Sequence, residues 1–285
     1  MKTIIVAVFF AVILHAVGAD AFSTPGFFNP YGVVVDAKTN FIYVSNVNGS
    51  LDGKDDNGFI SRLKGDGTVD LLRFIDGQSK DITLNAPKGM AIRGTTIYVA
   101  DVDKLHAFDL NSAKQLFDVN FGNLPVQHFY DITLGADDTL YLTDGPANVI
   151  YKIDIAKQHE VTTLASGENL AGPHGICWSP SQQMLVVGSW MKGMIIAFDR
   201  TGKPQPLPLV FVRSPEGIAA DELGNTYVAS NVLSAVYRLA LNFALNSFGL
   251  GLSSPTGLAY QSSGKQVIVT LFNTGVVQSI PIPQT

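Results

Sequence analysis

The chain contains 285 residues, of which 46% are hydrophobic and only 15% are charged, and it includes 27 glycines. This composition excludes disorder over most of the chain. The 19 basic and 24 acidic residues give a net charge of −5, which excludes the electrostatic pattern of a nucleic-acid-binding protein. The single cysteine, Cys177, excludes an intrachain disulfide and a cysteine-rich metal site, so packing alone must hold the fold.

The first segment has the pattern of a secretory signal peptide. Met1-Lys2 precedes an apolar run from Ile4 to Val17, and a small-x-small cleavage pattern, Ala19-Asp20-Ala21, follows it. At about 14 residues the run is shorter than the roughly 20 that span a bilayer, although a retained membrane anchor is the alternative. We therefore predict a signal peptide over residues 1–21 and a secreted or periplasmic product with no membrane span after cleavage.

A four-residue phrase, any residue followed by glycine, an apolar residue and a small residue, recurs along the rest of the chain. The copies, one of them with aspartate in place of glycine, are Tyr31-Gly32-Val33-Val34, Lys88-Gly89-Met90-Ala91, Tyr130-Asp131-Ile132-Thr133, His174-Gly175-Ile176-Cys177, Glu216-Gly217-Ile218-Ala219 and Thr256-Gly257-Leu258-Ala259. Their second positions are separated by 57, 42, 44, 42 and 40 residues. The regular period indicates a repeat architecture of six units.

Each unit reads as four β-strands. The phrase is followed, after a polar turn, by a β-rich stretch such as Ile97-Tyr98-Val99-Ala100-Asp101, and then by further strands such as Val149-Ile150-Tyr151-Lys152-Ile153. Four strands per unit at this period are typical of a β-propeller. We predict an all-β, six-bladed β-propeller with four antiparallel strands per blade, forming a single domain over residues 22–285. The last unit lacks its own outer strand, so we expect residues near Phe22 to Phe28 to supply it and close the ring.

The propeller geometry gathers polar residues at one mouth of the central channel. The first residue of each phrase lies where the innermost strand begins, which brings together Tyr31, Lys88, Tyr130, His174, Glu216 and Thr256. The second strand returns to the same face, and its last residue adds an outer ring of Asn46, Asp101, Asp144, Ser189 and Ser230. These residues are the candidate ligand-binding set.

Within this set, His174 and Glu216 are the candidate catalytic and metal-binding residues. Together with Asp144 or Asp101 they could hold a divalent cation, or Glu216 could act as general base on a water near His174. The alternative is a polar ring that only solvates the mouth, with Lys88 and Glu216 compensating each other's charge.

Other residues are secondary candidates. Cys177 occupies the small fourth position of its phrase, which favours packing over nucleophilic chemistry. Trp190 is expected either to pack or to border the mouth, and His128 lies close enough to the mouth to be considered. The oxygen-rich segment 46–58 does not fit an EF-hand, so we interpret it as a long first-blade hairpin that overhangs the mouth.

These features together resemble the exported branch of the gluconolactonase and senescence-marker-protein (regucalcin) superfamily, whose relatives include NHL-repeat proteins. The segments 43–49, 54–62, 86–91 and 97–101 carry the most specific part of the resemblance. It implies a six-bladed propeller with a divalent metal, often calcium, at the central mouth and an activity that opens lactones or related esters. At the positions of the family's metal-site and substrate residues, this chain has Tyr31, Tyr130, His174 and Glu216, and only Glu216 is a close chemical substitute.

Two function hypotheses follow. The first is an exported propeller that binds a small polar ligand or a protein partner at its mouth and has a degraded calcium site. The second is a divergent metal-assisted hydrolase of a lactone or ester, whose cofactor is one divalent metal at the mouth and in which Glu216 and His174 take the catalytic and ligand roles. The sequence leaves open whether the protein is an enzyme.

Overall fold

A computed structural model describes residues 21–283 of the chain. The predicted signal peptide, apart from Ala21, lies outside the described residues. Among those that are described, no helix is both long and apolar enough to cross a membrane.

Six antiparallel sheets of four strands each form the ring of a six-bladed β-propeller, as predicted. Blade 1 contains β2 (Pro30–Val35), β3 (Ile42–Asn46), β4 (Phe59–Leu63) and β5 (Val69–Asp76). Blade 2 contains β6 (Met90–Arg93), β7 (Thr96–Ala100), β8 (Leu105–Asp109) and β9 (Gln115–Asp118). Blade 3 contains β10 (Phe129–Leu134), β11 (Thr139–Asp144), β12 (Val149–Asp154) and β13 (Glu160–Ser166), with a one-turn 3₁₀ helix, Ile155–Lys157, between the last two.

The remaining three blades follow the same order. Blade 4 contains β14 (Pro173–Ser179), β15 (Met184–Ser189), β16 (Met194–Phe198) and β17 (Pro204–Gln205). Blade 5 contains β18 (Pro215–Ala220), β19 (Thr226–Ser230), β20 (Ala235–Leu239) and β21 (Leu245–Leu250). Blade 6 contains β22 (Pro255–Gln261), β23 (Gln266–Leu271) and β24 (Val276–Pro281), and its fourth strand is β1 (Ser23–Pro25) from the other end of the chain.

The ring is closed by β1, which confirms the predicted role of the N-terminal segment. β1 pairs antiparallel with β24, with Ser23 opposite Gln278 and Pro25 opposite Val276. The hydroxyl of Thr24 also donates to the Gly67 carbonyl of blade 1 at 2.8 Å, so the closing strand touches the first blade as well as the last. This pairing covers an edge of β24 that would otherwise be free to associate with other strands.

Truncation of β1 is expected to destabilise the propeller. A chain that begins at Gly26 should lose about 3 kcal/mol of unfolding free energy relative to one that begins at Phe22, because it loses backbone hydrogen bonds worth about 1 kcal/mol each and the burial of Phe22. Urea denaturation measures the difference. Thr24→Ala, which removes only the side-chain hydrogen bond, is the matched control and should have a smaller effect. Equal stability of the truncated chain and the control would show that β1 does not hold the ring closed.

The hydrophobic core lies between neighbouring blades. Cys177, for example, packs with Ile218 and Val228 of the next blade, and burial raises the pKa of its thiol, which fits the predicted packing role. Close to the axis the inner strands approach so tightly that glycine is required. A Cβ atom on Gly175 would lie 1.8 Å from the backbone oxygen of Glu216. This contact explains why the phrase contains glycine at its second position.

Candidate functional site

A cavity of about 620 Å³ opens at the central mouth of the propeller. Five of the six residues that begin the repeated phrases line it, namely Tyr31, Tyr130, His174, Glu216 and Thr256. The repeat therefore brings together residues that are more than 200 positions apart, as the sequence predicts. Each reaches the mouth because its inner strand begins there and because the following residue lets the neighbouring blade approach.

Glu216 is the carboxylate of this cavity, and its side chain is held between two aromatic residues. The indole nitrogen of Trp190 donates to Oε1 at 3.2 Å, and the hydroxyl of Tyr31 donates to Oε2 at 3.3 Å. Glu216 is only 8% exposed. Burial raises the pKa of Glu216 to about 7, and the hydrogen bonds from Trp190 and Tyr31 lower it by less. The carboxyl group therefore changes its charge near neutral pH.

His174 lies beside Glu216 and is sandwiched by aromatic rings. Its Nδ1 is 3.2 Å from Oε2 of Glu216. The imidazole stacks on Tyr130 with 3.8 Å between ring centroids, and Trp190 lies on a roughly parallel plane at 6.2 Å. Burial lowers the pKa of His174 to about 3, so the ring is neutral at physiological pH.

Lys88 belongs to the predicted set but is not among the residues that line the cavity. Its side chain is fully buried, and Nζ donates to the carbonyls of Leu51 and Ala86 at 3.0 Å each. Burial lowers the pKa of Lys88 to about 8. The expectation that Lys88 and Glu216 compensate each other's charge is wrong, because each is bonded to other groups.

The predicted outer ring is also buried outside the cavity lining. Its members are Asn46, Asp101, Asp144, Ser189 and Ser230. Each bonds to the backbone of the segment that enters its own blade. Asp101, for example, accepts from the amides of Asn85 and Ala86, and Asp144 accepts from those of Gln127 and His128. The structure thus gives these five residues a role in anchoring loops and does not bring them to the cavity.

In blades 3 to 6, residues one or two positions after the second strand line the cavity instead. They are Gly145, Pro146, Trp190, Met191, Asn231, Phe272 and Asn273. These positions lie one or two residues beyond the ends of the second strands, and of the seven only Trp190 was a candidate.

The long hairpin of blade 1 overhangs the mouth, as expected for segment 46–58. Leu51 lines the cavity, and Oδ1 of Asp52 lies 3.2 Å from Nδ1 of His128. Beneath the hairpin, Tyr31 packs with Val47 and other apolar side chains. His128 is therefore covered by the hairpin, and burial lowers its pKa to about 4.

Asp131 is the one non-glycine residue at the second position of the phrase. Its carboxylate accepts from the amides of Ile132 at 2.9 Å and of Ile176, in the next blade, at 3.1 Å. It faces a narrow axial cavity of about 20 Å³ beneath the mouth. Burial raises the pKa of Asp131 to about 7.

The residues at the mouth do not fit the calcium ion that the family resemblance implies. Calcium prefers six to eight oxygen ligands, and Glu216 is the only carboxylate among the described residues that line the cavity. Both of its oxygens already accept hydrogen bonds from Trp190 and Tyr31. Over residues 21–283, no group of three or more His, Cys, Asp or Glu side chains is placed to hold a metal. His174 and Glu216 alone make an incomplete site for any divalent metal.

Comparisons with known proteins identify solved structures that have the same fold. No protein-family model matches the chain, and no curated protein matches it in sequence. Among solved structures, a gluconolactonase from Xanthomonas campestris is similar with a TM-score of 0.72 and 16% identity, covering 96% of this chain and 94% of that one. A putative gluconolactonase is similar with a TM-score of 0.71 and 13% identity, covering 92% of each chain.

A lyase shares the same architecture. Virginiamycin B lyase from Staphylococcus aureus is similar with a TM-score of 0.64 and 14% identity, covering 93% of this chain and 100% of that one. At such low identities the likeness concerns the fold. The chain therefore has the six-bladed propeller fold of gluconolactonases and virginiamycin B lyase, in agreement with the resemblance in its sequence.

Proposed function

We propose that this chain is an exported propeller that binds a small polar ligand in the cavity at its central mouth. The observation that carries the proposal is the 620 Å³ cavity with the buried carboxylate of Glu216 in its wall. This volume lies in the range of small-molecule sites, which are typically concave, mostly apolar and provided with a few polar groups. The apolar run before Ala21 supports export.

The wall of the cavity supports recognition of a molecule rather than of a metal. The aromatic side chains of Tyr31, Tyr130, Trp190 and Phe272 line the cavity and supply apolar surface. Glu216 supplies a hydrogen-bonding group at a fixed position, because two donors hold its oxygens. Such a combination orients a small ligand without requiring an ion.

A cavity-filling substitution tests the proposal. Ligands are first identified with the wild-type protein by ligand-observed NMR against a library that contains neutral, anionic and cationic metabolites. Asn231→Trp places a large side chain in the cavity wall and should weaken their binding at least tenfold, whereas Val232→Trp, at the exposed neighbouring position, should not. Equal binding by both variants, or no ligand at all, would contradict the proposal.

A hydrolase is the second candidate because Glu216 and His174 form an acid-base pair. A carboxylate whose pKa is raised to about 7 by burial suits a general base, and a neutral imidazole lies 3.2 Å away. Since the residues do not fit a calcium ion, this candidate rests on the two side chains alone. Turnover of a panel of lactones and esters that Glu216→Gln abolishes would favour it over simple binding.

A further inference from the structure

We propose that the ligand of the central cavity is an organic cation, an ammonium group carried on an apolar body. This inference rests on the proposed function, since it names the class of molecule that the cavity binds. It follows from the charge of the cavity wall and from the aromatic side chains around it.

The part of the cavity wall formed by residues 21–283 has negative charge and no positive charge. Within that range Glu216 is the only carboxylate of the lining, and no lysine or arginine belongs to it. Lys88 donates to the carbonyls of Leu51 and Ala86 instead of facing the cavity. His174 is neutral because burial lowers its pKa to about 3. A cationic ligand therefore meets one unpaired carboxylate and no competing cation in the wall.

Four aromatic side chains, those of Tyr31, Tyr130, Trp190 and Phe272, line the same cavity as this carboxylate. Trp190 donates to one oxygen of Glu216 and Tyr31 donates to the other, so an aromatic side chain lies on each side of the group. Phe272 packs edge to face against Tyr31 with 6.3 Å between centroids. Ammonium groups are attracted to the faces of Trp, Tyr and Phe within about 6 Å, and sites for methylated ammonium ions are commonly built from several such rings.

The buried carboxylate also explains why a cation is favoured over an uncharged ligand. Taking a carboxylate out of water without a counter-charge is costly, and burial accordingly raises the pKa of Glu216. A bound ammonium restores the missing partner and stabilises the ionised form. A neutral carbohydrate would stack on the same rings but would leave the charge unpaired, and an anion would be repelled.

A matched pair of probes tests the charge requirement. Choline and 3,3-dimethylbutan-1-ol have nearly the same shape, but only choline carries a positive charge. We expect the wild-type protein to bind choline at least tenfold more tightly than the alcohol, as measured by isothermal titration calorimetry. Glu216→Gln should abolish this preference. Glu168→Gln, the same change at an exposed position, should behave as the wild-type protein.

Three results would overturn the inference. They are equal binding of the two probes, no detectable binding of choline, and a preference for choline that persists in Glu216→Gln. A different result would contradict the inference of a cation while leaving the proposed ligand site in place. If neutral or anionic members of the library bind and Asn231→Trp displaces them while choline shows no advantage, the cavity is a ligand site but the ligand is not a cation. If no molecule of any class binds, both proposals are contradicted.

Discussion

Glu216→Gln is expected to stabilise the protein at pH 8 by about 2 to 3 kcal/mol and by less than about 1 kcal/mol at pH 5. Burial raises the pKa of this carboxyl from 4.5 to about 7. A group whose pKa is raised by folding favours the folded state fully below its unfolded pKa, and this contribution is lost as the pH rises through the folded pKa. The wild-type protein therefore pays the full cost of the buried charge only above neutral pH, and glutamine avoids it.

Glutamine fits the same hydrogen bonds. Its amide oxygen accepts from the indole of Trp190, and its amide nitrogen donates to the hydroxyl oxygen of Tyr31, which can turn to accept. Denaturant unfolding of both proteins at pH 5 and pH 8 measures the difference. Burial also raises the pKa of Asp131 to about 7. Asp131 titrates in both proteins, so its contribution to the pH dependence cancels when their unfolding free energies are subtracted. Glu168→Gln, the same change at an exposed position, is the matched control. A loss of stability at pH 8 would contradict the expectation.

Gly175→Ala is expected to cost at least about 3 kcal/mol of unfolding free energy, because overpacking at a rigid backbone contact is poorly relieved. The added Cβ would lie 1.8 Å from the backbone oxygen of Glu216, and an inner strand cannot move without disturbing both neighbouring blades. Gly217→Ala, with a contact of 2.4 Å to the backbone oxygen of Thr256, should behave similarly and provides a second measurement if the first variant does not fold.

Gly94→Ala separates this steric effect from backbone strain. Gly94 has a φ of +63°, and a Cβ there would meet nothing within 4 Å. Alanine at this position should therefore cost only the about 1 to 2 kcal/mol of a left-handed conformation. Denaturant unfolding compares the variants directly. Equal losses for Gly175→Ala and Gly94→Ala would mean that the inner strands are not held as closely as the structure shows.

The architecture was predictable because spacing, rather than any single residue, defines it. The phrase that contains Gly32 and its repeats marks the start of each inner strand. Because the last unit lacks an outer strand, the segment around Phe22 was predicted to supply it. Both follow from the need to pair every strand and to bring the inner strands together. The cavity position followed in turn, because five of the six residues that begin the repeated phrases lie at the mouth.

The composition of the cavity wall was less predictable. The predicted strand ends, such as Asp144, are held by the backbone of the segment that enters their blade, and residues one or two positions later, such as Pro146, line the cavity instead. Lys88 donates a hydrogen bond to the carbonyl of Leu51 and therefore does not face the cavity. Leu51 belongs to a hairpin that has no counterpart in the other blades. The hydrogen bond from Trp190 to Glu216 joins two blades, and no sequence pattern within a blade reveals it.

The pairing of β1 with β24 has a consequence for how the protein acquires its structure. The two strands belong to opposite ends of the chain, so the sixth blade can be completed only after the last strand is available. Contacts of such long sequence separation slow folding, and they leave an unpaired edge exposed while the chain is incomplete. We therefore expect ring closure to be a late step that follows synthesis of β24, and the first blades to remain partly folded until β1 pairs with that strand.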